Sequence, residues 1–189
     1  RYFSSYTAAC DECGVEPLLS KNMPKEFYND FSKTKILIDT REQQPLKFDN
    51  SESHKLDVGD YSVSSSVYDY TYVDRKSFAD FCSTVTVGYA RFCKELDRCR
   101  ELGCYLFVVS EFDFSDMEVR NKNNFKKFKL EYVKHNMRDI QAKYKDCCQF
   151  VFSGSREKSQ DIIPKILVMG KQLWEVDVDY FWSKELKKN

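Results

Sequence analysis

Three residues in the first half of the chain have the types and spacing of a metal-dependent hydrolytic site. Asp60 follows Gly59, and Asp74 precedes Lys76 by two positions. Two carboxylates can hold a divalent cation such as Mg²⁺ or Mn²⁺, which keeps several of its waters. A lysine beside the cation could position the attacking water or stabilise a phosphate. This combination suits hydrolysis of a phosphodiester bond, because a metal ion neutralises charge on the phosphoryl oxygens.

The strands that carry these residues are predicted to be neighbours. Residues 55–63 and 68–75 have strand patterns, and adjacent strands lie about 5 Å apart. The two carboxylates could therefore share one ion. Strand alternation places Lys76 on the same face as Asp74 and turns Arg75 to the opposite face.

The remaining pattern alternates strands with helices, which predicts an α/β domain with a mixed central sheet flanked by helices. Ser77 is the expected cap of a short helix that begins at Phe78. A face of apolar residues, including Phe125 and Tyr132, predicts a helix over 124–144. Further strands are predicted at 35–39, 105–109 and 149–152, and further helices at 88–102 and 159–173, with an early interruption at Pro164.

Three ordered motifs resemble the nuclease domain of the XPF family, which cuts branched DNA. They are Ile38 to Glu42, Val58 to Tyr61 and Val73 to Asp80. The resemblance covers about residues 35–173. It implies a restriction-endonuclease-like fold with a site of the PD-(D/E)XK type. One departure is Asp74, where the family usually has Glu; we expect metal binding to survive because this site type accepts either acid.

The resemblance also implies a role for each site residue. The expected metal ligands are Asp60 and Asp74, with Asp39 as an additional acidic member. Lys76 would position the water or stabilise the phosphate. Arg41 and Arg75 would hold the phosphate or lock the carboxylates, and Glu42 and Asp80 would complete the polar network. For Arg75 and Asp80, a purely structural supporting role is the alternative.

DNA is the expected partner, although the chain has 30 basic and 30 acidic residues and no net charge. Residues 120–145 contain nine Lys or Arg against only Glu131 and Asp139. Such a face suits a phosphate backbone, and the alternative is an ordinary solvated helix surface. The family resemblance adds branched DNA as substrate and dimerisation, with itself or a relative, through the nuclease domain. Candidate DNA contacts are Lys126, Lys127, Lys134 and Arg138, with a second line at Arg91, Lys94 and Arg98.

The eight cysteines indicate a reducing compartment, so we expect an intracellular protein, nuclear or cytoplasmic. Cys10 and Cys13 form a C-x-x-C turn that could be half of a Zn²⁺ site; the alternative is two free thiols in an N-terminal arm. No apolar run approaches the length of a membrane span, so no membrane partner is expected. Because the chain begins with Arg1, we expect a piece of a longer protein. The predicted organisation is an arm at 1–33, a nuclease domain at 34–173 and a tail at 174–189.

Three hypotheses of function follow. The leading one is a metal-dependent endonuclease acting on branched, flapped or junction DNA. The second is a non-catalytic DNA-binding scaffold of the same fold, which would have no need of Asp60, Asp74 and Lys76 together. The third is a zinc-ribbon interaction module in which the α/β domain is only a body.

Overall fold

The computed structural model describes residues 10, 12–15, 19, 21–65 and 69–186. Within them, six strands form one mixed sheet in the order β2-β1-β3-β4-β5-β6. Strands β4, β5 and β6 run parallel to one another, and β3 is antiparallel to both β1 and β4. The strands are β1 (Ile36–Asp39), β2 (Ser51–His54), β3 (Tyr61–Val63), β4 (Thr71–Lys76), β5 (Tyr105–Ser110) and β6 (Cys148–Phe152).

Helices cover both faces of the sheet, as the sequence predicted. On one face, α1, α2 and α4 pack on alternate sheet residues such as Leu106 and Val108. On the other face, α5 and α6 pack on Phe107 and Val109. The helices are α1 (Phe78–Thr84), α2 (Tyr89–Leu102), α3 (Met117–Asn123), α4 (Leu130–Lys143), α5 (Arg156–Met169) and α6 (Val178–Leu186).

Local sequence signals account for several helix ends. The Ser77 hydroxyl accepts a hydrogen bond from the Asp80 backbone N–H, which confirms it as the cap of α1. Gly103 ends α2 in the left-handed conformation, with φ of 64°, which an L side chain adopts only at a cost. Helix α5 begins at Arg156 because Ser155 caps it, and Pro164 lies within the helix without ending it.

The helix predicted over 124–144 is wrong in its first six residues. Helix α3 ends at Asn123, and α4 begins only at Leu130. Phe125 and Tyr132, predicted on the buried face, are both exposed. Between the two helices, the side chains of Asn121 and Asn124 form hydrogen bonds with backbone groups of the loop. Such bonds compete with the helical backbone bonds and favour a loop.

The predicted strand at 55–63 is also shorter than expected. Only Tyr61–Val63 pairs as β3, and Ser51–His54 forms an edge strand that the sequence pattern missed. Residue 68, the first of the next predicted strand, lies outside the described residues. The Ser51–His54 strand is exposed along its whole length, so it has no alternation of apolar residues by which to recognise it.

Residues 174–186, within the predicted tail, also belong to the folded unit. Helix α6 lies within the predicted tail, and its Trp182 is buried against β6. None of the eight cysteines forms a disulfide. Across the described part of the chain, no helix combines the length and the apolar character needed to cross a membrane.

Candidate active site

The three residues that opened the sequence argument meet at one end of β4. Asp74 and Lys76 lie on the same face of the strand, and Lys76 Nζ donates to Asp74 Oδ1 at 2.6 Å. Asp60 precedes β3 and is held against β4 through both its backbone and its side chain. Its backbone N–H donates to the Val73 carbonyl, and its Oδ2 accepts from the Arg75 backbone N–H, each at 2.8 Å.

The pKa values of Asp60 and Lys76 are both raised by their shared, poorly solvated surroundings. Burial, followed by the negative charge of Asp74, raises the pKa of Asp60 to about 8. Burial opposes the charged form of Lys76, but Asp74 and Asp60 outweigh it and raise the pKa of the lysine. Near neutral pH, a proton on Asp60 and the Lys76 ammonium therefore balance the two carboxylates. A divalent cation could replace that proton, so the donor set fits a hard metal ion.

Glu95 is a further acidic residue of the site that sequence reasoning did not select. It lies on α2 and lines the cleft beside Asp60, Asp74 and Lys76. Burial first, then the charge of Asp74, raises the pKa of its carboxyl. Its position on a helix could not reveal that it lies in the cleft, because only the packing of α2 against the sheet brings Glu95 to the strand ends.

Asp39 lies in the same cleft, but its carboxylate is already fully engaged. Oδ1 accepts from the backbone N–H and from Nε of Arg41, at 2.8 and 2.6 Å. Oδ2 accepts from Arg41 Nη2 at 3.1 Å and from the Leu56 backbone N–H at 2.7 Å. To bind a metal directly, Asp39 would have to give up one of these bonds. Arg41 thus locks a carboxylate, one of its two predicted roles, while 64% of its side chain stays exposed.

Arg75 points to the opposite face of the sheet, as strand alternation predicted. Its side chain is only 9% exposed and pairs with Glu42 and Glu111, at 3.2 and 2.9 Å. Arg156 of α5 also binds Glu111, at 2.9 Å. These four side chains connect four parts of the fold. Glu42 lies in the loop after β1, Arg75 on β4, Glu111 directly after β5, and Arg156 at the start of α5. Arg75 and Glu42 therefore lie outside the cleft, although the Arg75 backbone holds Asp60.

Asp80 lies on α1 and takes part in the cap of that helix. The Ser77 hydroxyl donates to Asp80 Oδ2 at 2.6 Å and accepts from the Asp80 backbone N–H at 3.2 Å. Asp80 and Arg91 line a second groove that shares Lys76 with the main cleft. This placement favours the supporting role that the sequence left open for Asp80.

Exposed basic residues surround the main cleft. Its volume is about 420 Å³, and Lys94 and Arg98 of α2 lie on its rim. Arg98 makes a 3.5 Å ion pair with Asp57, in which both side chains are more than half exposed. Such a pair is weak in water, so Arg98 remains able to bind a phosphate.

The predicted DNA contacts on residues 120–145 are not all equivalent. Lys126 and Arg138 are exposed, and Lys134 is half-buried. Lys127 is exposed too, but its ammonium bonds to the carbonyls of Asn124 and Lys122 and holds the loop together. Lys127 is therefore less available to a phosphate than its neighbours.

Among the described residues, no three His, Cys, Asp or Glu side chains stand close enough to form a ready metal cage. Of the predicted trio Asp39, Asp60 and Asp74, Asp39 is the one whose carboxylate is hydrogen-bonded to Arg41. Cys10 is buried and Cys13 is exposed. Zinc at this pair stays a prediction.

Comparison with known proteins agrees with this architecture. The model of the ERCC4 domain matches residues 38–166. The solved structure of XPF from Aeropyrum pernix superposes with a TM-score of 0.53 at 17% identity, over 80% of this chain and 72% of that one. A complex of XPF from Aeropyrum pernix with DNA gives 0.50 at 19% identity, over 71% and 63% of the two chains. No protein with a curated description matches by sequence. The ERCC4 model spans more than half of the chain and includes every strand-end residue described above, so this protein belongs to the ERCC4-domain family and has the fold of the XPF nuclease domain.

Proposed function

We propose that this domain is a divalent-metal-dependent endonuclease that hydrolyses phosphodiester bonds in branched, flapped or junction DNA. The observation that carries the proposal is the meeting of Asp60, Asp74 and Lys76 in one cleft. Asp74 and Lys76 lie on β4 and Asp60 lies directly before β3, and the two acids share a poorly solvated space with one ammonium group. A fold that needed only a stable core would gain nothing from this arrangement, because burying like charges together is costly.

Asp60 and Asp74 would hold Mg²⁺ or Mn²⁺, with Glu95 as the next carboxylate in the cleft. The ion, when bound, would activate a water and neutralise charge on the scissile phosphate. Asp60 would be held ready by the Arg75 backbone N–H, which fixes the orientation of its carboxylate.

Lys76 would act through its charge rather than as a base. Its raised pKa keeps the ammonium protonated, so it has no free lone pair with which to accept a proton. Its 2.6 Å bond to Asp74 directs the charge into the cleft, where it would stabilise negative charge that develops on the phosphate. Lys94, Arg98 and the exposed part of Arg41 would contact neighbouring phosphates and position the strand.

The test is cleavage of end-labelled fork, flap, four-way junction and plain duplex DNA with Mg²⁺ or Mn²⁺. Wild type would be compared with Asp60→Asn and Lys76→Ala, and with Asp146→Asn as a control on an exposed surface carboxylate. We expect cutting near the branch, lost by at least about 100-fold in both site variants and retained in the control. Equal cutting by wild type and both site variants would refute the proposed site.

A non-catalytic scaffold is the second candidate. Saturation of Asp39 by Arg41 and Leu56 favours it, because it leaves one predicted ligand unavailable. Branch-specific binding with no cutting under either metal would support the scaffold. A zinc-ribbon module would instead copurify with Zn²⁺ and show neither activity.

A further inference from the structure

The loop between α3 and α4 presents a large apolar side chain directly to solvent. Phe125 is 104% exposed, more than any other large hydrophobic side chain in the described residues. A single exposed apolar residue is common on protein surfaces. Phe125 differs from such scattered residues because side-chain hydrogen bonds hold the loop around it and because several lysines lie beside it in sequence.

Side chains fix the shape of the loop. Asn121 brackets Phe128: its Nδ2 donates to the Phe128 carbonyl and its Oδ1 accepts from the Phe128 N–H, both at 2.9 Å. Asn124 Nδ2 donates to the Lys126 carbonyl at 2.8 Å, and Lys127 Nζ donates to the Asn124 carbonyl at 2.7 Å. Phe125 lies between these tied positions, so its exposure is part of the fold.

The charged residues nearest to Phe125 in sequence are all positive, and the first acidic residues on either side are Glu118 and Glu131. Residues 119–130 contain five basic side chains and no acidic one. Lys122, Lys126 and Lys129 are exposed, whereas Lys127 is occupied within the loop. A ring flanked by cations is the arrangement with which proteins bind single-stranded nucleic acid: bases stack on the aromatic face and lysines contact the phosphates.

The base of the loop is anchored beside the candidate active site. The ring of Phe128 lies 6.3 Å from that of Phe78, edge to face. Phe78 begins α1, two residues after Lys76 at the end of β4. The loop is thus packed against the helix that follows the Asp74–Lys76 strand, with Lys126 Nζ over the Phe128 ring at 5.3 Å.

We propose that this loop binds an unpaired nucleotide of the DNA substrate, with a base stacked on Phe125 and its neighbouring phosphates on Lys122, Lys126 and Lys129. An unpaired base is the fitting ligand because both faces of a base within duplex DNA are covered by its neighbours. The inference rests on the proposed function only in taking DNA as the substrate, and it assigns the single-stranded side of a branch to the α3–α4 loop.

The test is equilibrium binding in EDTA, so that it does not depend on cleavage. The probes are a labelled single-stranded oligonucleotide, a fork with 2-aminopurine in one unpaired arm, and a blunt duplex of the same length. We expect Phe125→Ala to weaken binding of the first two by about 5- to 100-fold and of the duplex by less than twofold. Phe125→Trp should restore binding, and the 2-aminopurine should be quenched by wild type and by this variant. Val119→Ala, at a 60% exposed position of α3, is the matched apolar control and should bind as wild type.

Phe125 makes no buried contact, so its variants should fold, and circular dichroism would verify this. Unchanged affinity of Phe125→Ala for the fork and the single strand would overturn the inference, as would an equal loss on all three probes. Sedimentation would detect a third result, in which wild type self-associates and Phe125→Ala does not; the loop would then contact a second copy of the chain. The two proposals are tested independently. If Asp60→Asn loses cleavage but still quenches 2-aminopurine, both the proposed site and the loop inference are supported; if Asp60→Asn cuts normally, only the proposed site is refuted.

Discussion

At the scale of single residues, Gly59 determines whether Asp60 reaches β4. Its φ of +65° lies in the left-handed region, and a Cβ there would stand 2.8 Å from the Val73 carbonyl oxygen. The same carbonyl accepts the Asp60 N–H. The glycine therefore allows two strands to approach closely enough for Asp60 and Asp74 to share one cleft.

Substitution of Gly59 by alanine should be more damaging than its backbone angle alone explains. Gly103 has nearly the same φ, +64°, but nothing lies within 4 Å of its added Cβ. We expect Gly103→Ala to cost about 1 kcal/mol of unfolding free energy from strain and Gly59→Ala about 2–4 kcal/mol, because the backbone contact is added. Urea unfolding of both variants measures the difference. Equal losses would mean that β4 can move away from residue 59 without cost.

The residues of the site differ in how far sequence could predict them. Asp74, Arg75 and Lys76 follow strand alternation, a local rule, and their sides were predicted correctly. Glu95 and Glu111 could not be placed, since only tertiary packing brings them to β4. Phe125 misled the prediction because apolar residues at helical spacing normally mark a buried face, and here asparagine side chains hold the segment as a loop.

At the scale of elements, the two faces of β4 carry different groups of charged residues. The cleft face carries Asp74 and Lys76, while Arg75 faces Glu42, Glu111 and Arg156 beneath α5. The mixed sheet and its flanking helices followed from the alternation of strands and helices in the sequence, whereas the strand order is known only from the structure. Three elements escaped prediction: β2, α3 and α6. Strand β2 is fully exposed and α3 is short, and α6 lies in a segment that was predicted to be a tail.

Helix α6 should make stability depend on pH through Asp179. Its carboxylate accepts from the Phe152 N–H at 2.7 Å, yet burial, followed by Asp177 and Asp113, raises its pKa from 3.8 to about 6. The protonated form is thus favoured by folding. Its stabilising contribution is complete below about pH 4 and is lost as the pH rises through 6.

Asp179→Asn keeps the acceptor but cannot ionise. Between pH 4 and pH 7, we expect the free energy of unfolding of the variant to rise by about 1–2 kcal/mol relative to that of wild type. This figure is lower than the full pKa shift would give, because Asp179 is only partly buried. Chemical denaturation at both pH values gives this difference directly. If the difference in unfolding free energy between the two proteins is the same at pH 4 and pH 7, the pKa of Asp179 is not raised by folding.

At the scale of the whole molecule, residues beyond the family match complete the core. Trp174 stacks on Tyr105 with ring centroids 5.3 Å apart, and its Nε1 donates to Thr71 at 2.9 Å. Trp182 donates to the Ser153 carbonyl at 3.2 Å. The segment predicted as a tail therefore covers the ends of β4, β5 and β6 on the α5 side.

Trp182→Ala should consequently destabilise the entire domain. We expect a loss of about 3–5 kcal/mol, because the substitution leaves a large cavity. Tyr180→Ala, at a half-exposed position of the same helix, should change stability by less than about 1 kcal/mol. Thermal unfolding followed in the far ultraviolet, with both variants at one protein concentration, is the measurement. A similar small change in both would mean that α6 is only an appendage.

The basic surface at residues 120–145 has a consequence for how the protein meets a polyanion. That stretch has a formal charge of +7, so the rest of this neutral chain must carry −7. We expect this uneven distribution of charge along the chain to make the domain an electric dipole. In the field of DNA it experiences a torque before any contact forms, although the net force on its total charge is zero. The domain should therefore arrive with α3 and α4 leading, and added salt should slow this oriented encounter more than its neutrality suggests.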